Sequence, residues 1–308
     1  MEALTANAVV ATEPFERKRR GPHPVPPPRE TAFGCAQDFL ANRFVYVVLS
    51  PRAHGLSVGI NLNPDRHCDF DCVYCEVNRK LPVQERRLDV AVMAEELQQT
   101  LGLIQAGKLR EREVYRALPA ELLQLRHVCL SGQGEPTLAP NFEEIVREVV
   151  HVRALGQFPF FKLVLVTNAS GLDRPGVQAG LRLLTRADEI WAKLDGGTQA
   201  WLDKVNRPAG VTLEKILANI LLVARQRPVI IQSLFPAIQG AEPPPEEIEQ
   251  FALRLRELKQ AGAQIPLVQI YSATRPIANA GCSHLPLRSL SRIAQVVRLV
   301  SGLKAEVF

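Results

Sequence analysis

SVGINLNPDRHCDFDCVYC, residues Ser57 to Cys75, runs from an alternating β-branched segment into a loop with cysteines at 68, 72 and 75. Ser57–Leu62 reads as a strand. The loop after it has the spacing C-x3-C-x2-C. Three thiolates this close on one loop can converge on a single metal centre, because short spacers let backbone amides turn inward around it. Three unrelated buried thiols would not need the Asp, Asn and Pro residues that surround them. A structural zinc site is the main competitor. It wants four ligands, usually as paired C-x2-C units, whereas Cys35, Cys129 and Cys282 stand singly. His67 can serve as a fourth ligand only by bending back from its position beside Cys68. An iron–sulfur cluster usually takes four cysteines, so three imply a cubane with one iron left open to another molecule.

Outward from this loop, short β-branched runs alternate with longer segments of helical apolar spacing. Strands are predicted at Ser57–Leu62, His127–Ser131, Leu163–Thr167, Ile190–Leu194, Val229–Ser233 and Leu267–Tyr271, with Phe44–Leu49 as a preceding flanking strand. Helices are predicted near Ala91–Gln105, Phe142–Arg153, Val177–Leu184, Thr212–Arg225, Glu246–Ala261 and Ser289–Leu299. This alternation implies a parallel α/β sheet with right-handed crossovers, either doubly wound or an incomplete barrel. The expected class is α/β with parallel strands. In both architectures chemistry sits at the C-terminal ends of strands. Residues 31–308 are expected to form that one domain, ending in a C-terminal helix.

The chain has 308 residues, 46% of them apolar, which is enough for a sizeable core. Its 37 Lys and Arg against 32 Asp and Glu give a formal charge of +5, which permits a nucleic-acid partner without indicating one. No apolar stretch reaches the ~18 residues of a spanning helix. No secretory signal is read at the N-terminus, so the expected compartment is cytoplasmic, where cysteines favour metal or redox chemistry over disulfides. Residues 1–30 combine Arg17–Arg20 with a proline-rich run and are expected to form a disordered tail.

The cysteine loop, with the aromatic Tyr74 before its third cysteine, resembles the cluster motif of the radical S-adenosylmethionine (SAM) superfamily, which implies a partial (β/α)6 barrel with parallel strands. Ser131–Leu138, at the end of the next strand, is similar to that family's glycine-rich, glutamate-containing motif for the methionine amino group. The resemblance implies that Gly132 and Gly134 let backbone approach the ligand and that Glu135 supplies an anion for the ammonium. Thr167–Ser170, including Asn168, is similar to the polar strand end that faces the nucleoside. Lys193 and Asp195, two apart at a strand end, point to one face and are expected to reach ribose hydroxyls or the carboxylate, or to form a structural ion pair. Tyr74 is expected to offer its backbone to the adenine edge and its ring to the cluster. Gln232, Gln269 and Tyr271 are further lumen candidates. Ser50–Asn61, Cys72–Val77, Gly134–Leu138, Lys204–Pro208 and Gln269–Pro276 resemble, more narrowly, the branch of wyosine-base-forming tRNA enzymes and their bacterial Fe–S oxidoreductase relatives.

The resemblance implies that Cys68, Cys72 and Cys75 hold a [4Fe–4S] cluster whose open iron binds SAM. Reductive cleavage of SAM would give a 5′-deoxyadenosyl radical that abstracts hydrogen from a substrate. An external one-electron donor such as flavodoxin or ferredoxin is then needed, because the flavodoxin-like domain of the eukaryotic tRNA enzymes is not found in this sequence. Those tRNA enzymes also carry additional cysteines before the barrel, whereas only Cys35 precedes Cys68 here, so their pyruvate chemistry is not expected. RNA, tRNA in particular, is the leading substrate reading, with Arg79, Lys80, Arg86 and Arg87 as a guide or merely a solvated stretch. A small metabolite, a peptide or a glycyl-radical partner are the alternatives. His54 and His284 stand near no nucleophile pattern and read as surface or turn residues. From other classes, a zinc-stabilised nucleic-acid-binding module predicts colourless protein with stoichiometric zinc, and a non-catalytic electron carrier predicts brown protein that leaves SAM intact.

Overall fold

A computed structural model describes residues 39–79, 83, 85–273 and 281–308. The proline-rich tail, Cys35, Lys80 and the end of the Gln269–Pro276 motif lie outside the described residues. In chain order the elements are β1 (Val45–Ser50), β2 (Gly55–Asn61), α1 (Val90–Gln105), α2 (Glu113–Arg116), β3 (Leu125–Ser131), α3 (Phe142–Ala154), β4 (Lys162–Thr167), α4 (Pro175–Arg182) and β5 (Glu189–Lys193). Then follow α5 (Gln199–Val205), α6 (Leu213–Ala224), β6 (Ile230–Leu234), β7 (Pro236–Ile238), α7 (Pro245–Gln260), β8 (Val268–Tyr271), β9 (Cys282–His284), α8 (Leu287–Ser301) and β10 (Ala305–Val307).

One sheet takes the order β1-β2-β3-β4-β5-β6-β8-β10. From β2 onward neighbours are parallel, and the order never reverses. That excludes double winding, which needs a switch point, and leaves the partial barrel. Strand β1 is antiparallel to β2 because only Pro51–His54 separate them, too few residues for a crossover. The sheet curves far enough that His54, in the β1–β2 turn, meets Phe308 beyond β10, with ring centroids 6.0 Å apart.

Strand alternation sorts the side chains. Val128 and Leu130, Leu163 and Leu165, Ile190 and Ala192, and Val268 and Ile270 face outward into the main core beneath the helices. Cys129, Val164 and Trp191 point the other way and form a separate apolar cluster with Val166 and Ile230 inside the barrel. Three-residue strands β7, β9 and β10 and the seven-residue α5 were not among the expected elements, being too short to show a period. Helix starts follow capping chemistry. Asp89 accepts from the amides of Ala91 and Val92 at α1, and Thr212 accepts from Lys215 N at α6. No helix among the described residues is long and apolar enough to cross a membrane.

Candidate functional site

The cysteine loop leaves the C-terminal end of β2 and is tied down on two sides. On one, Glu135 N donates to His67 O at 2.9 Å. On the other, residues just past α5 act as a short partner strand: Asp71 N donates to Asn206 O (3.0 Å), Val73 N to Val205 O (2.8 Å) and Ala209 N to Asp69 O (2.7 Å). Phe70 and Pro208 form an isolated antiparallel bridge in the same stretch. The loop is therefore held at its backbone while its sulfurs face a cavity of about 190 Å³.

Cys68, Cys72, Cys75 and Tyr74 line that cavity, facing Ser131–Glu135 from β3, Thr167 and Asn168 from β4, and Lys193 from β5. All three cysteines are free and half-buried. Burial pushes the Cys68 thiol up to about 12 and the Cys72 thiol up to about 11, so a ligated cation is required to hold them as thiolates. No three Cys, His, Asp or Glu side chains among the described residues converge closely enough to hold a single metal ion. His67 is exposed and does not line the cavity, which removes the fourth ligand of the zinc reading. The donor set fits a multi-iron cluster.

Gly132 and Gly134 lie where chain segments pass too closely for a side chain. Gly132 has φ +128, and a Cβ there would sit 2.3 Å from Asn61 Oδ1; at Gly134 it would sit 2.1 Å from the His67 carbonyl. Both glycines thus let the β3 turn close onto the cysteine loop. The Glu135 carboxylate was expected at the ammonium of a ligand. It is 3% exposed and already accepts from Thr137 N (3.0 Å), Thr137 Oγ1 (2.6 Å), Asn168 N (2.7 Å) and Thr167 Oγ1. Burial raises its pKa despite these donors. Glu135 therefore splices the β3 and β4 ends together, a job sequence reading missed because Thr137 carried no signal. Asn168 is similarly engaged, donating to Asp69 Oδ1 at 2.8 Å and accepting from Ser170 N at 2.9 Å.

Lys193 and Asp195 share the inner face, with Nζ to Oδ2 at 3.8 Å. Lys193 reaches the cavity and donates to Tyr271 Oη at 3.1 Å. Burial opposes its charge, but Asp195, Tyr271 and Cys72 hold its pKa above the usual lysine value, so it is an ammonium. Asp195 does not line the cavity. It accepts from Leu234 N (2.8 Å), Asn206 Nδ2 (2.7 Å) and the Tyr74 hydroxyl, behind the cavity wall. Its carboxylate fixes Tyr74 and stands beside the Lys193 ammonium, the arrangement expected of a structural ion pair. Asn206 was overlooked although it stands inside Lys204–Pro208; its Nδ2 meets Tyr74 Oη at 3.0 Å and Cys72 Sγ at 3.4 Å as well as Asp195. Gln232 and Gln269 bond each other at 2.9 Å inside the barrel. Arg79 lines the cavity and donates to Phe70 O; Arg87 pairs with Glu144 at 3.1 Å. His54 is a left-handed turn residue and His284 is exposed, as expected.

Residues 62–252 match the model of the Radical SAM superfamily. A UPF0026 protein of Synechocystis sp. is 32% identical over 179 residues, spanning 57% of this chain and 57% of that protein. The S-adenosyl-L-methionine-dependent tRNA 4-demethylwyosine synthase of Saccharomyces cerevisiae is 26% identical over 157 residues, 48% of this chain and 17% of that one. The chain thus spans little more than half of the first of these relatives and a smaller part of the second. In three dimensions the fold resembles TYW1 with a lysine-pyruvate adduct bound, at TM-score 0.58 and 16% identity, over 87% of this chain and 88% of that one. With the family match covering most of the barrel and the cysteine loop, the chain belongs to the radical SAM superfamily, whose chemistry is radical chemistry dependent on S-adenosylmethionine.

Proposed function

We propose that this chain is a radical SAM enzyme in which Cys68, Cys72 and Cys75 hold a [4Fe–4S] cluster and the β3 and β4 ends hold SAM. The observation that carries the reading is the cavity itself, where three cysteines on one pinned loop face Ser131–Glu135, Asn168 and Lys193. When bound, the cluster supplies one electron to SAM, whose carbon–sulfur bond breaks to give methionine and a 5′-deoxyadenosyl radical that takes hydrogen from substrate. The protein's part is position and environment. Glycines 132 and 134 bring backbone polar groups to the cavity wall, where they serve the methionine amino group. Glu135 keeps that wall rigid through its four hydrogen bonds. The Lys193 ammonium is the cation on the opposite wall for a carboxylate. Tyr74, locked by Asp195 and Asn206, presents a fixed backbone and ring beside Cys72 and Cys75.

The substrate reading is RNA, tRNA in particular. It is supported by the yeast relative, described as a tRNA 4-demethylwyosine synthase, and by Arg79 at the cavity. The electron donor is a separate protein such as flavodoxin or ferredoxin, and the compartment is the reducing cytoplasm, with residues 31–308 acting as one domain. The test is anaerobic purification, reconstitution with iron and sulfide, dithionite reduction with SAM, and mass spectrometry for 5′-deoxyadenosine. The product should appear with wild-type protein and vanish in Cys72→Ala, which should also lose its iron. A fully loaded cluster that leaves SAM intact refutes radical cleavage, and stoichiometric zinc in place of iron refutes the cluster.

A further inference from the structure

Arg52 occupies the tight turn Pro51–Ala53 between β1 and β2 and is half-buried. It lies 4.3 Å from the ring centroid of Tyr271. Tyr271 points inward, because its neighbours Val268 and Ile270 on β8 face the outer core. The same tyrosine receives Lys193 at its hydroxyl, 3.1 Å away, and Lys193 lines the cysteine cavity. A continuous inner wall therefore runs from the cysteines through Lys193 and Tyr271 to Arg52.

The interior charges do not balance at Arg52. Lys162 has Glu189 at 2.5 Å and Lys193 has Asp195 at 3.8 Å. Arg52 forms no ion pair with any carboxylate among the described residues, and its Nε is buried without a hydrogen-bond partner. Arg52 as a whole is half-buried, and a guanidinium resting on an aromatic face leaves its N–H fork free for a planar oxyanion. The surroundings bear the mark of this charge. His127 is buried nearby, and burial, Lys162 and Arg52 together push its pKa down to about 3.

We infer that Arg52, resting on the Tyr271 ring, forms an oxyanion site that takes a carboxylate or phosphate group of the substrate. Naming the ligand as substrate rests on the proposed function, whereas the anion site stands on the geometry alone. The test titrates full-length protein with inorganic phosphate and, separately, with sodium acetate, following each probe by NMR line broadening. Wild type should show saturable binding of one probe, and which probe binds separates phosphate from carboxylate. Arg52→Gln should weaken it about tenfold or more, Arg52→Lys should retain part of it, and the exposed control Arg292→Gln should bind as wild type. Circular dichroism checks that each variant is folded. Absence of saturable binding, or equal binding by wild type and Arg52→Gln, overturns the site. Deoxyadenosine formation by wild type is scored independently. If it appears while neither probe binds, only the anion site is lost, and if it fails while Arg52-dependent binding holds, only the radical function is lost.

Discussion

Replacing Asn206 with Ala should damage the protein at one identifiable joint. The Asn206 amide has two protons and three acceptors in reach: Asp195 Oδ2 at 2.7 Å, Tyr74 Oη at 3.0 Å and Cys72 Sγ at 3.4 Å. Its orientation is fixed, since a flipped amide would set a carbonyl oxygen against the Asp195 carboxylate. Asp195 is 2% exposed and keeps Leu234 N and the Tyr74 hydroxyl after the substitution, so it is weakened rather than orphaned. A hydrogen bond to a buried charge is worth about 1.5–3 kcal/mol, which sets the expected destabilisation at about 2–3 kcal/mol. Urea unfolding of the apo-protein measures it. A double-mutant cycle with Asp195→Asn should return a coupling of about 1 kcal/mol or more, because the two side chains touch. In the reconstituted protein, loss of the donor to Cys72 sulfur should shift the cluster to a more negative reduction potential, since hydrogen bonds to cysteine sulfur stabilise the electron-rich state. Additive single-mutant effects together with an unchanged potential would refute the view that Asn206 joins Asp195, Tyr74 and Cys72 into one unit.

Glu135→Ala leaves the buried amides of Thr137 and Asn168 without acceptors and should cost about 3 kcal/mol in urea unfolding, while iron content stays at the wild-type level and deoxyadenosine formation falls. Cleavage equal to wild type would remove Glu135 from the site. His127 gives a pH signature: with its pKa pushed down to about 3 in the fold against 6.5 unfolded, it takes up a proton on unfolding, so stability is full above pH 6.5 and declines as pH falls toward 3. At about pH 5 the loss is about 2 kcal/mol, and His127→Leu should flatten the wild-type difference between neutral and mildly acidic urea midpoints by that amount.

What sequence makes visible here is local, and what it hides is the meeting of distant segments. Six βα periods were legible because alternation and helical spacing repeat within each segment, and the cysteine loop was legible because its ligands lie within one turn of chain. Strand order carries no local signal, and three-residue strands such as β10 carry no period, although together they decide that the sheet is singly wound and where it ends. The same limit governs the site. Asn206 and Cys72 are 134 positions apart, and Glu135 and Asn168 are 33 apart, so neither pairing could be read from spacing. The resemblance assigned Glu135 to a ligand ammonium, and strand period gave Lys193 and Asp195 a shared face for ligand groups or a structural ion pair, whereas the donors that hold the two carboxylates come from other segments. In the folded chain each carboxylate is held by buried donors, Glu135 at the cavity wall and Asp195 behind it. The two carboxylates thus act as joints of the barrel mouth, because Glu135 ties the β3 end to β4 while Asp195 ties the β5 end to β6 and to Lys193.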